Sequence, residues 1–382
     1  MSTMNDSSIS ICIIAHNAYG VLAKTDTKHA GGIEVQTPLM AKWLARNGFD
    51  VSMVTWDEGI EDSGVIDGVR VLKLCKRDDG MKGMRFFHPR WTSYVKALRR
   101  ASADIYYYNC GDLGLGQLVA WARYNKKTTV FSVASEQDCY QNLSHISSWR
   151  DKHFYKYGLR NADNVIVQTN KQKTILKNEY GIDSILVPMP CEGFSNDIKS
   201  PAERLSGEKR ILWIGRLTRE KRLELLLDVA ERCSDLHFDI VGSENLPSQY
   251  AKEVTTRANA IKNVTLHGRV QHQDIGKFYN NATLLCSTSL YEGFPNVYLE
   301  AWSTGLPIVS TFDPDSVIDN NNIGRIANDA ESIVRAIREL YEESTYTEIS
   351  KNALEYYREK HSVSASMKEF SDVFKTIAEK NS

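Results

Sequence analysis

Residues 292–300 read Glu292-Gly293-Phe294-Pro295-Asn296-Val297-Tyr298-Leu299-Glu300 and place two carboxylates eight residues apart. A short apolar run, Ala282-Thr283-Leu284-Leu285-Cys286, precedes them and predicts a buried strand. Pro295 stands where helices begin, and Gly305 marks where this one would end. We therefore expect Glu292 in the loop before a helix and Glu300 about one turn inside it.

This arrangement has a chemical meaning. A helix N-terminus presents unpaired N–H groups and a positive dipole end, so it attracts phosphate. Carboxylates repel phosphate but accept hydrogen bonds from hydroxyl groups. A phosphate with hydroxyl-rich groups on both sides, such as a nucleotide sugar, would suit the helix N-terminus and the two carboxylates together. The alternative is a pair of solvated glutamates around an ordinary loop.

Composition narrows the class of protein. The chain has 382 residues, enough for two domains, and its net charge of −1 gives no sign of a nucleic-acid partner. Its seven cysteines form no Cys-x-x-Cys pair, which argues against a disulfide framework or a zinc site and fits a reducing cytoplasm. No apolar segment reaches the length needed to span a bilayer. We expect a cytoplasmic protein.

Strand and helix patterns alternate along the chain, which predicts α/β layers with parallel sheets. We expect two doubly wound, Rossmann-like domains facing a central cleft: an N-terminal domain over residues 1–195 and a C-terminal domain over 196–362. A C-terminal helix over 363–382 would pack back on the first domain. Residues 190–207 are rich in Gly, Ser, Pro and charge and predict a linker. The predicted strands are 8–15, 50–56, 69–74, 103–110, 128–132, 164–168, 184–188, 211–214, 237–241, 264–266, 282–286 and 307–310.

A basic loop follows the first strand of the second domain. Arg216 and Lys221 are five residues apart in Gly215-Arg216-Leu217-Thr218-Arg219-Glu220-Lys221, so both can point at one anion at the end of the strand. Arginine supplies a planar fork and lysine a point charge, which suits a diphosphate. The alternative is a solvated basic loop.

Seven short motifs follow one another in a characteristic order along the chain. They are Gly31-Gly32-Ile33-Glu34, residues 161–167, Gly215-Arg216-Leu217 with Lys221, Ile240-Val241-Gly242, residues 266–270, Glu292 with Glu300-Ala301, and Gly305-Leu306-Pro307. This ordered set resembles family 4 glycosyltransferases over nearly the whole chain. The resemblance implies the GT-B fold and transfer of a sugar from a nucleotide donor with retention of configuration. The acceptor would be a glycan or a lipid-linked glycan, as in surface polysaccharide, lipopolysaccharide or capsule assembly.

The resemblance also implies roles for single residues. Arg216 and Lys221 would hold the donor diphosphate, and Glu292 would act nearest the reacting sugar carbon, so these three are the catalytic candidates. Glu300 would bind the ribose. With the chain's own cations on the diphosphate, neither a metal nor another cofactor is expected. The remaining predicted donor-binding residues are Gly31, Gly32, Arg269, Val270, Phe294, Pro295, Asn296 and Val297.

The sequence departs from the family on the acceptor side. Many members have a histidine after the strand that corresponds to residues 128–133, but Val133-Ala134-Ser135-Glu136 stands here. His16, Glu136 and Asp138 are the acceptor-side candidates, although a solvated loop also explains the last two. A nucleotide-sugar epimerase, a phosphorylase and a non-catalytic nucleotide- or glycan-binding protein on the same fold stay open.

Residues 76–100 are locally basic, with aromatic side chains interleaved. This pattern predicts peripheral contact with an anionic membrane, at the inner face of the cell membrane. The alternative is a surface loop and a core-packed helix with solvated charges.

Overall fold

A computed structural model of the chain describes residues 8–25, 31–58, 64–194, 198–244 and 247–381. Its contacts divide the chain into two compact units. Unit 1 contains the residues up to Pro190 and those from Ser366 onward, and unit 2 runs from Cys191 to Ala365. Among the helices of the described ranges, none combines the length and the apolar character that crossing a membrane requires.

Unit 1 is built on one twisted sheet. Its strands are β1 Ser10–Ile14, β2 Asp50–Thr55, β3 Val65–Ile66, β4 Val69–Lys73, β5 Ile105–Tyr108, β6 Thr128–Ser132, β7 Asn164–Val167 and β8 Ile185–Leu186. They lie in the order β3-β4-β2-β1-β5-β6-β7-β8, and all neighbours are parallel except β3 and β4. The central strands are buried on both faces, as parallel strands between helical layers must be.

Helices connect these strands and cover the sheet. They are α1 Tyr19–Leu22, α2 Gly32–Arg46, α3 Thr92–Ala101, α4 Leu113–Tyr124, α5 Trp149–Asn161 and α6 Asn170–Tyr180. The order of strands reverses between β1 and β5, so the loops after these two strands leave the sheet side by side.

Unit 2 has a six-stranded sheet among the residues described. Its strands are β9 Arg210–Ile214, β10 His237–Val241, β11 Val264–Gly268, β12 Leu284–Ser287, β13 Ile308–Ser310 and β14 Gly324–Ile326. They are all parallel, in the order β11-β10-β9-β12-β13-β14. The order reverses between β9 and β12. In open α/β sheets, ligands bind beyond the carboxyl ends of the strands at such a reversal.

The helices of unit 2 agree with the predicted alternation. They are α7 Pro201–Ser206, α8 Leu223–Arg232, α9 Gln249–Ala260, α10 His272–Asn281, α11 Asn296–Ser303, α12 Val317–Asn320, α13 Ala330–Leu340 and α14 Glu343–Tyr356. Helix α11 follows the quoted stretch and starts directly after Pro295, as predicted. Gly305 ends it with a φ of 65°, in the left-handed region that glycine adopts without strain.

The predicted linker is not irregular throughout, because part of it is α7. Ser200 caps this helix, Pro201 is its first residue, and the Glu203 side chain accepts from the Ser200 backbone N–H at 2.7 Å. Ser-Pro-x-Glu is a helix-start signature that the compositional argument overlooked. The helix buries Arg204, whose guanidinium donates to the carbonyls of Tyr279 and Asn280 at 2.8 and 3.1 Å.

Two short strands are absent from the predicted set. Strand β3 pairs with β4 through a tight turn at Asp67-Gly68, where both residues have positive φ. Asp-Gly between short apolar runs is a hairpin signal, so the sequence contained this information. Strand β14 has only three residues and a charged one at its centre, so its apolar signal is weak.

The last helix, α15 Val363–Asn381, carries the residues from Ser366 that group with unit 1. The rings of Phe370 and Phe374 contact Tyr107 of β5 with centroids 6.4 and 5.9 Å apart. Ser366 donates to the carbonyl of Pro188. These contacts tie the end of the chain to the core of unit 1.

Two glycines in unit 2 allow a close backbone approach next to the sheet reversal. Gly242 follows β10 with a φ of 141°, and a Cβ placed there would lie 1.8 Å from the carbonyl oxygen of Gly215. The N–H of Gly215 donates to the carbonyl of Val241 at 3.1 Å. The start of the basic loop is therefore seated against the end of β10, and only glycine fits at 242.

We predict that Gly242→Ala destabilises unit 2 by about 3 kcal/mol or more, because the added methyl group overlaps backbone that cannot move aside. The midpoint of urea unfolding, followed by tryptophan fluorescence, measures the effect. Gly207→Ala is the matched control, since its nearest neighbouring atom would be 3.6 Å away and its φ is −83°. Equal midpoints for the two variants would contradict the steric argument.

Candidate active site

Two loops meet where the sheet of unit 2 reverses. One follows β9 and contains Arg216 and Lys221, and the other follows β12 and contains Glu292. The Thr288 hydroxyl joins them, because it accepts from Trp213 Nε1 at 3.1 Å and donates to the carbonyl of Lys221 at 2.7 Å. Leu290 N–H also donates to the carbonyl of Glu220 at 2.8 Å. The two loops therefore form one rigid platform.

Lys221 and Glu292 form an ion pair on this platform. Lys221 Nζ donates to Glu292 Oε1, and both side chains are largely buried. The pair joins residues 71 positions apart, so two of the three predicted catalytic residues are brought into direct contact. A lysine held this way presents a positive charge at the sheet reversal, where a bound anion would compete with the carboxylate for it.

Arg216 lies in the same loop but extends into solvent. Its side chain is 58% exposed and approaches Glu220 at 3.8 Å, a surface pair that contributes little stability. The structure thus separates the two predicted cations into one that is held in place and one that is exposed. The exposed arginine can reorient towards a ligand at small cost.

The start of α11 lies beside the Lys221–Glu292 pair. Phe294 and Pro295 are buried, and Asn296 and Val297, the first two residues of the helix, are half-buried. Pro295 occupies the cap position, and its side chain has no oxygen that could accept from the first N–H groups. A helix N-terminus therefore follows Glu292 in the chain by four residues, and its predicted role as a phosphate cradle stays a prediction.

Glu300 is buried in α11 and held by two partners that the sequence did not predict. Tyr279 donates its hydroxyl to Glu300 Oε2 at 2.6 Å, and His272 Nε2 lies 3.3 Å from Oε1. His272 and Tyr279 are seven residues apart on α10, which puts both on one face of that helix. Spacing of this kind is common, so only the fold shows what the two side chains face.

The charge of Glu300 shifts the pKa of both partners. The hydrogen bond to Glu300 raises the pKa of His272 against the opposing effect of burial, and Glu192 adds to the increase. Burial, reinforced by Glu300, raises the pKa of the Tyr279 hydroxyl. Phe194 packs against both rings, with centroids 5.7 Å from His272 and 5.3 Å from Tyr279. The carboxylate is thus fixed in an aromatic surrounding.

The predicted base-recognition residues follow β11, two strands away from β9 on the same edge of the sheet. Gly268 has a φ of 63° where the strand ends. Arg269 is exposed, and Val270 packs against the core beside α11. Their role in binding a base stays a prediction.

In unit 1, Gly31 and Gly32 form the start of α2. Gly31 N–H donates to Glu34 Oε2 at 3.0 Å, and Asn17 Nδ2 donates to Glu34 Oε1 at 3.4 Å. Glu34 thus covers the helix end from within, as one half of a capping box, since Gly31 has no side chain to supply the other half. The predicted contact of this loop with a donor stays a prediction.

His16, the first acceptor-side candidate, lies among aromatic rings. It stacks on Trp56 with centroids 5.0 Å apart and lies near Tyr94 and Tyr108. Burial lowers its pKa, and Asp112 opposes that effect. The imidazole is therefore neutral at pH 7 and can donate one hydrogen bond and accept another.

Glu136 and Asp138 both have protein partners. Glu136 accepts from Tyr140 at 3.1 Å and pairs with Lys171 at 2.9 Å. Asp138 is buried, accepts from Ser135 N–H at 2.9 Å, and lies 3.0 Å from His145 Nε2. These contacts explain both residues as supports of the loop after β6, and they do not test a role toward an acceptor.

Asp313 precedes a single 3-10 turn at Pro314–Ser316. The two carboxylate oxygens of Asp313 accept backbone N–H bonds from Ile318 and Asp319 at 2.9 and 3.2 Å. The aspartate therefore caps the short helix α12.

Fold and site together define a protein of the GT-B class, with the platform in its second unit. The family model described as "Glycosyl transferases group 1" matches residues 208–343. The model described as "Glycosyl transferase 4-like domain" matches residues 31–189. The chain belongs to the family 4 type of group 1 glycosyltransferases.

Two curated relatives illustrate the similarity. A protein of Escherichia coli named "UDP-Gal:alpha-D-GlcNAc-diphosphoundecaprenol alpha-1,3-galactosyltransferase" is 25% identical over 336 residues, which cover 81% of this chain and 84% of that protein. The GtfA subunit of a peptide N-acetylglucosaminyltransferase of Streptococcus parasanguinis is 28% identical over 51% of this chain. That match, and one to an archaeal glycosyltransferase of Methanocaldococcus jannaschii, span about two fifths of the relative's own length.

Solved structures support the fold. Sucrose-phosphate synthase from Thermosynechococcus elongatus superposes with a TM-score of 0.75 at 18% identity, covering 97% of this chain and 99% of that one. HepE of Anabaena, solved with UDP and glucose, superposes with a TM-score of 0.76 at 16% identity, covering 96% and 99%. These similarities confirm the predicted GT-B fold class.

We predict that His272 titrates above the ordinary histidine range and that Glu300→Gln returns its pKa towards that range. Because the pKa is raised on folding, the pair stabilises the protein fully below the ordinary histidine pKa. That contribution is lost as the pH rises through the raised value. A pH titration of the His272 ring by NMR measures its pKa in the wild type and in Glu300→Gln. Glu192→Gln, which removes the weaker influence, should lower the pKa less. A midpoint unchanged by Glu300→Gln would contradict the assignment.

Proposed function

We propose that this protein is a retaining glycosyltransferase that moves a sugar from a nucleotide-sugar donor to a glycan or lipid-linked glycan in surface polysaccharide biosynthesis. The observation that carries the proposal is the Lys221–Glu292 pair beside the start of α11 at the sheet reversal. The names of relatives support the class of acceptor, since they include the E. coli diphosphoundecaprenol galactosyltransferase and the Erwinia amylovora amylovoran biosynthesis glycosyltransferase AmsD.

The chemistry follows from charge. As the bond between the anomeric carbon and the phosphate oxygen breaks, negative charge grows on the diphosphate and positive charge on the sugar ring. Lys221 and Arg216, together with the start of α11, stabilise the leaving diphosphate, and binding it draws Lys221 away from Glu292. Glu292 is then placed to hold sugar hydroxyls and offset the positive ring. Glu300, fixed by Tyr279, accepts from the ribose hydroxyls.

Transfer of the sugar releases one proton from the acceptor hydroxyl group, and another group must take it up. We propose that the acceptor oxygen bonds to the anomeric carbon on the face that the diphosphate leaves, which retains configuration. The acceptor hydroxyl then passes its proton to the departing phosphate oxygen. In this scheme the chain's own cations carry the diphosphate charge, without a metal ion. Because the acceptor class includes lipid-linked glycans, we place the protein at the inner face of the cell membrane.

We expect Arg216→Ala with Lys221→Ala to weaken binding of a nucleoside diphosphate by about 100-fold or more, because two charge-assisted contacts are lost. Calorimetry with UDP, GDP, ADP and TDP measures this and identifies the base. Arg219→Ala is the control, since Arg219 lies in the same loop but stacks over Tyr250 with 5.4 Å from Cζ to the ring centroid. Equal affinity in the double variant and the wild type would remove the phosphate assignment.

We expect Glu292→Ala to lower sugar transfer by about 100-fold or more while nucleotide binding is retained or strengthened, since Lys221 loses its internal partner. Product analysis with radiolabelled donor and a panel of glycan acceptors measures transfer. Circular dichroism and nucleotide calorimetry on the same variant show whether it is folded. Wild-type transfer by the variant would exclude the catalytic role. Conversion of the donor in the absence of an acceptor would indicate an epimerase. Release of a sugar that depends on inorganic phosphate would indicate a phosphorylase, and nucleotide binding without any turnover would indicate a binding protein.

A further inference from the structure

Four large apolar side chains of unit 1 are exposed close to its basic segment. Met81, Met84 and Phe87 are 71, 60 and 65% exposed, and Trp149, the first residue of α5, is 80% exposed. Scattered single apolar residues on a surface need no explanation, but a cluster of this kind marks an interaction site. We call these four residues, together with the lysines and arginines of residues 76–100 and 149–160, the basic-apolar face.

Ring contacts bring the two separate segments of this face together. Phe86 packs edge-on against Phe154 of α5 with centroids 6.1 Å apart, and the Arg150 guanidinium lies 4.8 Å above the Phe86 ring. Phe87 lies 5.1 Å from Phe86, and Trp149 precedes Arg150 in the chain. The exposed aromatic residues of both segments therefore lie around one anchored ring.

The same segments carry an excess of positive charge. Residues 76–100 contain eight lysines and arginines against two aspartates, and residues 149–160 contain four against one. Two of the three aspartates are engaged locally: Asp79 accepts from Lys76 N–H, and Asp151 pairs with Arg150. The face thus combines apolar side chains with cations that outnumber the acids of the same two segments.

A groove runs along α3, the helix that follows Phe87 within the same basic segment. It has a volume of about 510 Å³ and is lined by Trp91, Thr92, Val95, Lys96, Arg99 and Arg100. Its apolar side chains come from Trp91 and Val95, while three cations surround them. Such a groove matches the boundary between an anionic headgroup and an acyl chain.

The charge of the face decides between two occupants. A two-fold contact between copies of this chain would place the same patch against itself, so cations would meet cations. An anionic membrane surface offers phosphate groups to the cations and an acyl boundary to Trp149, Phe87 and the two methionines. An anionic membrane surface therefore fits both the apolar side chains and the positive charge of the face.

We propose that the basic-apolar face docks unit 1 onto the surface of an anionic phospholipid bilayer. Trp149 and Phe87 insert at the level of the headgroups, and the cations of residues 76–100 hold the phosphates. This inference rests on the proposed function only for its purpose, which is to keep the enzyme beside a lipid-linked acceptor. Docking itself requires no turnover.

Co-sedimentation of the full chain with vesicles tests the proposal. Vesicles of phosphatidylcholine with phosphatidylserine should bind the protein, vesicles of phosphatidylcholine alone should bind it weakly, and added salt should release it. Phe87→Ser with Trp149→Ser should weaken binding by about 10-fold or more. Lys82→Gln with Lys96→Gln should weaken it about fivefold for each charge.

Two controls make the result specific. Tyr124→Ser removes an aromatic side chain that is 87% exposed at the end of α4, and Lys252→Gln removes an exposed lysine of unit 2. Both should bind vesicles like the wild type. Absence of vesicle binding, or equal loss in controls and face variants, would overturn the proposal. So would a face variant that changes only the oligomeric state. Nucleotide calorimetry on the same samples separates this outcome from a failure of the proposed function, because it reports on unit 2.

Discussion

The hydroxyl of Thr288 is the contact on which the candidate site depends. The hydroxyl accepts a hydrogen bond from Trp213 Nε1 in β9 and donates one to the backbone carbonyl of Lys221. The backbone carbonyl of Thr288 accepts from Arg222 Nε at 2.8 Å. Two loops that are far apart in the chain are thereby locked at the sheet reversal. Without these hydrogen bonds, Lys221 and Glu292 would be two flexible side chains on separate loops. The conformational entropy lost on pairing them would then cost more free energy than their attraction contributes.

The two glutamates of the opening stretch have different surroundings, and the difference follows from their place in α11. Glu292 precedes the helix and pairs with Lys221, a cation that a diphosphate can take from it. Glu300 lies inside the helix and contacts Tyr279 and His272, which orient it. One carboxylate is therefore exchangeable and the other is fixed. Such a division suits a site in which one end of a ligand reacts and the other end is only held.

The sequence predicted much of the fold because parallel strands buried on both faces are short continuous apolar runs. It placed β6 and β10 at the observed residues and located α11 through Pro295 and Gly305. It failed where the signal was compositional, as for α7 inside the supposed linker, and where a known turn signal at Asp67-Gly68 was not used. In the site, Glu292 and Lys221 could be named from motifs. Tyr279, His272 and Thr288 could not, because tertiary packing alone brings them to their partners.

Arg204 has a consequence for dividing the chain. Its buried guanidinium closes the carbonyl end of α10, the helix that supplies Tyr279 and His272 to Glu300. The similarity to the group 1 family begins only at residue 208. A fragment cut at that point would lack this guanidinium, and the last carbonyls of α10 would lose their buried donor. The functional boundary of unit 2 therefore lies upstream of its recognisable family boundary, at or before the cap residue Ser200.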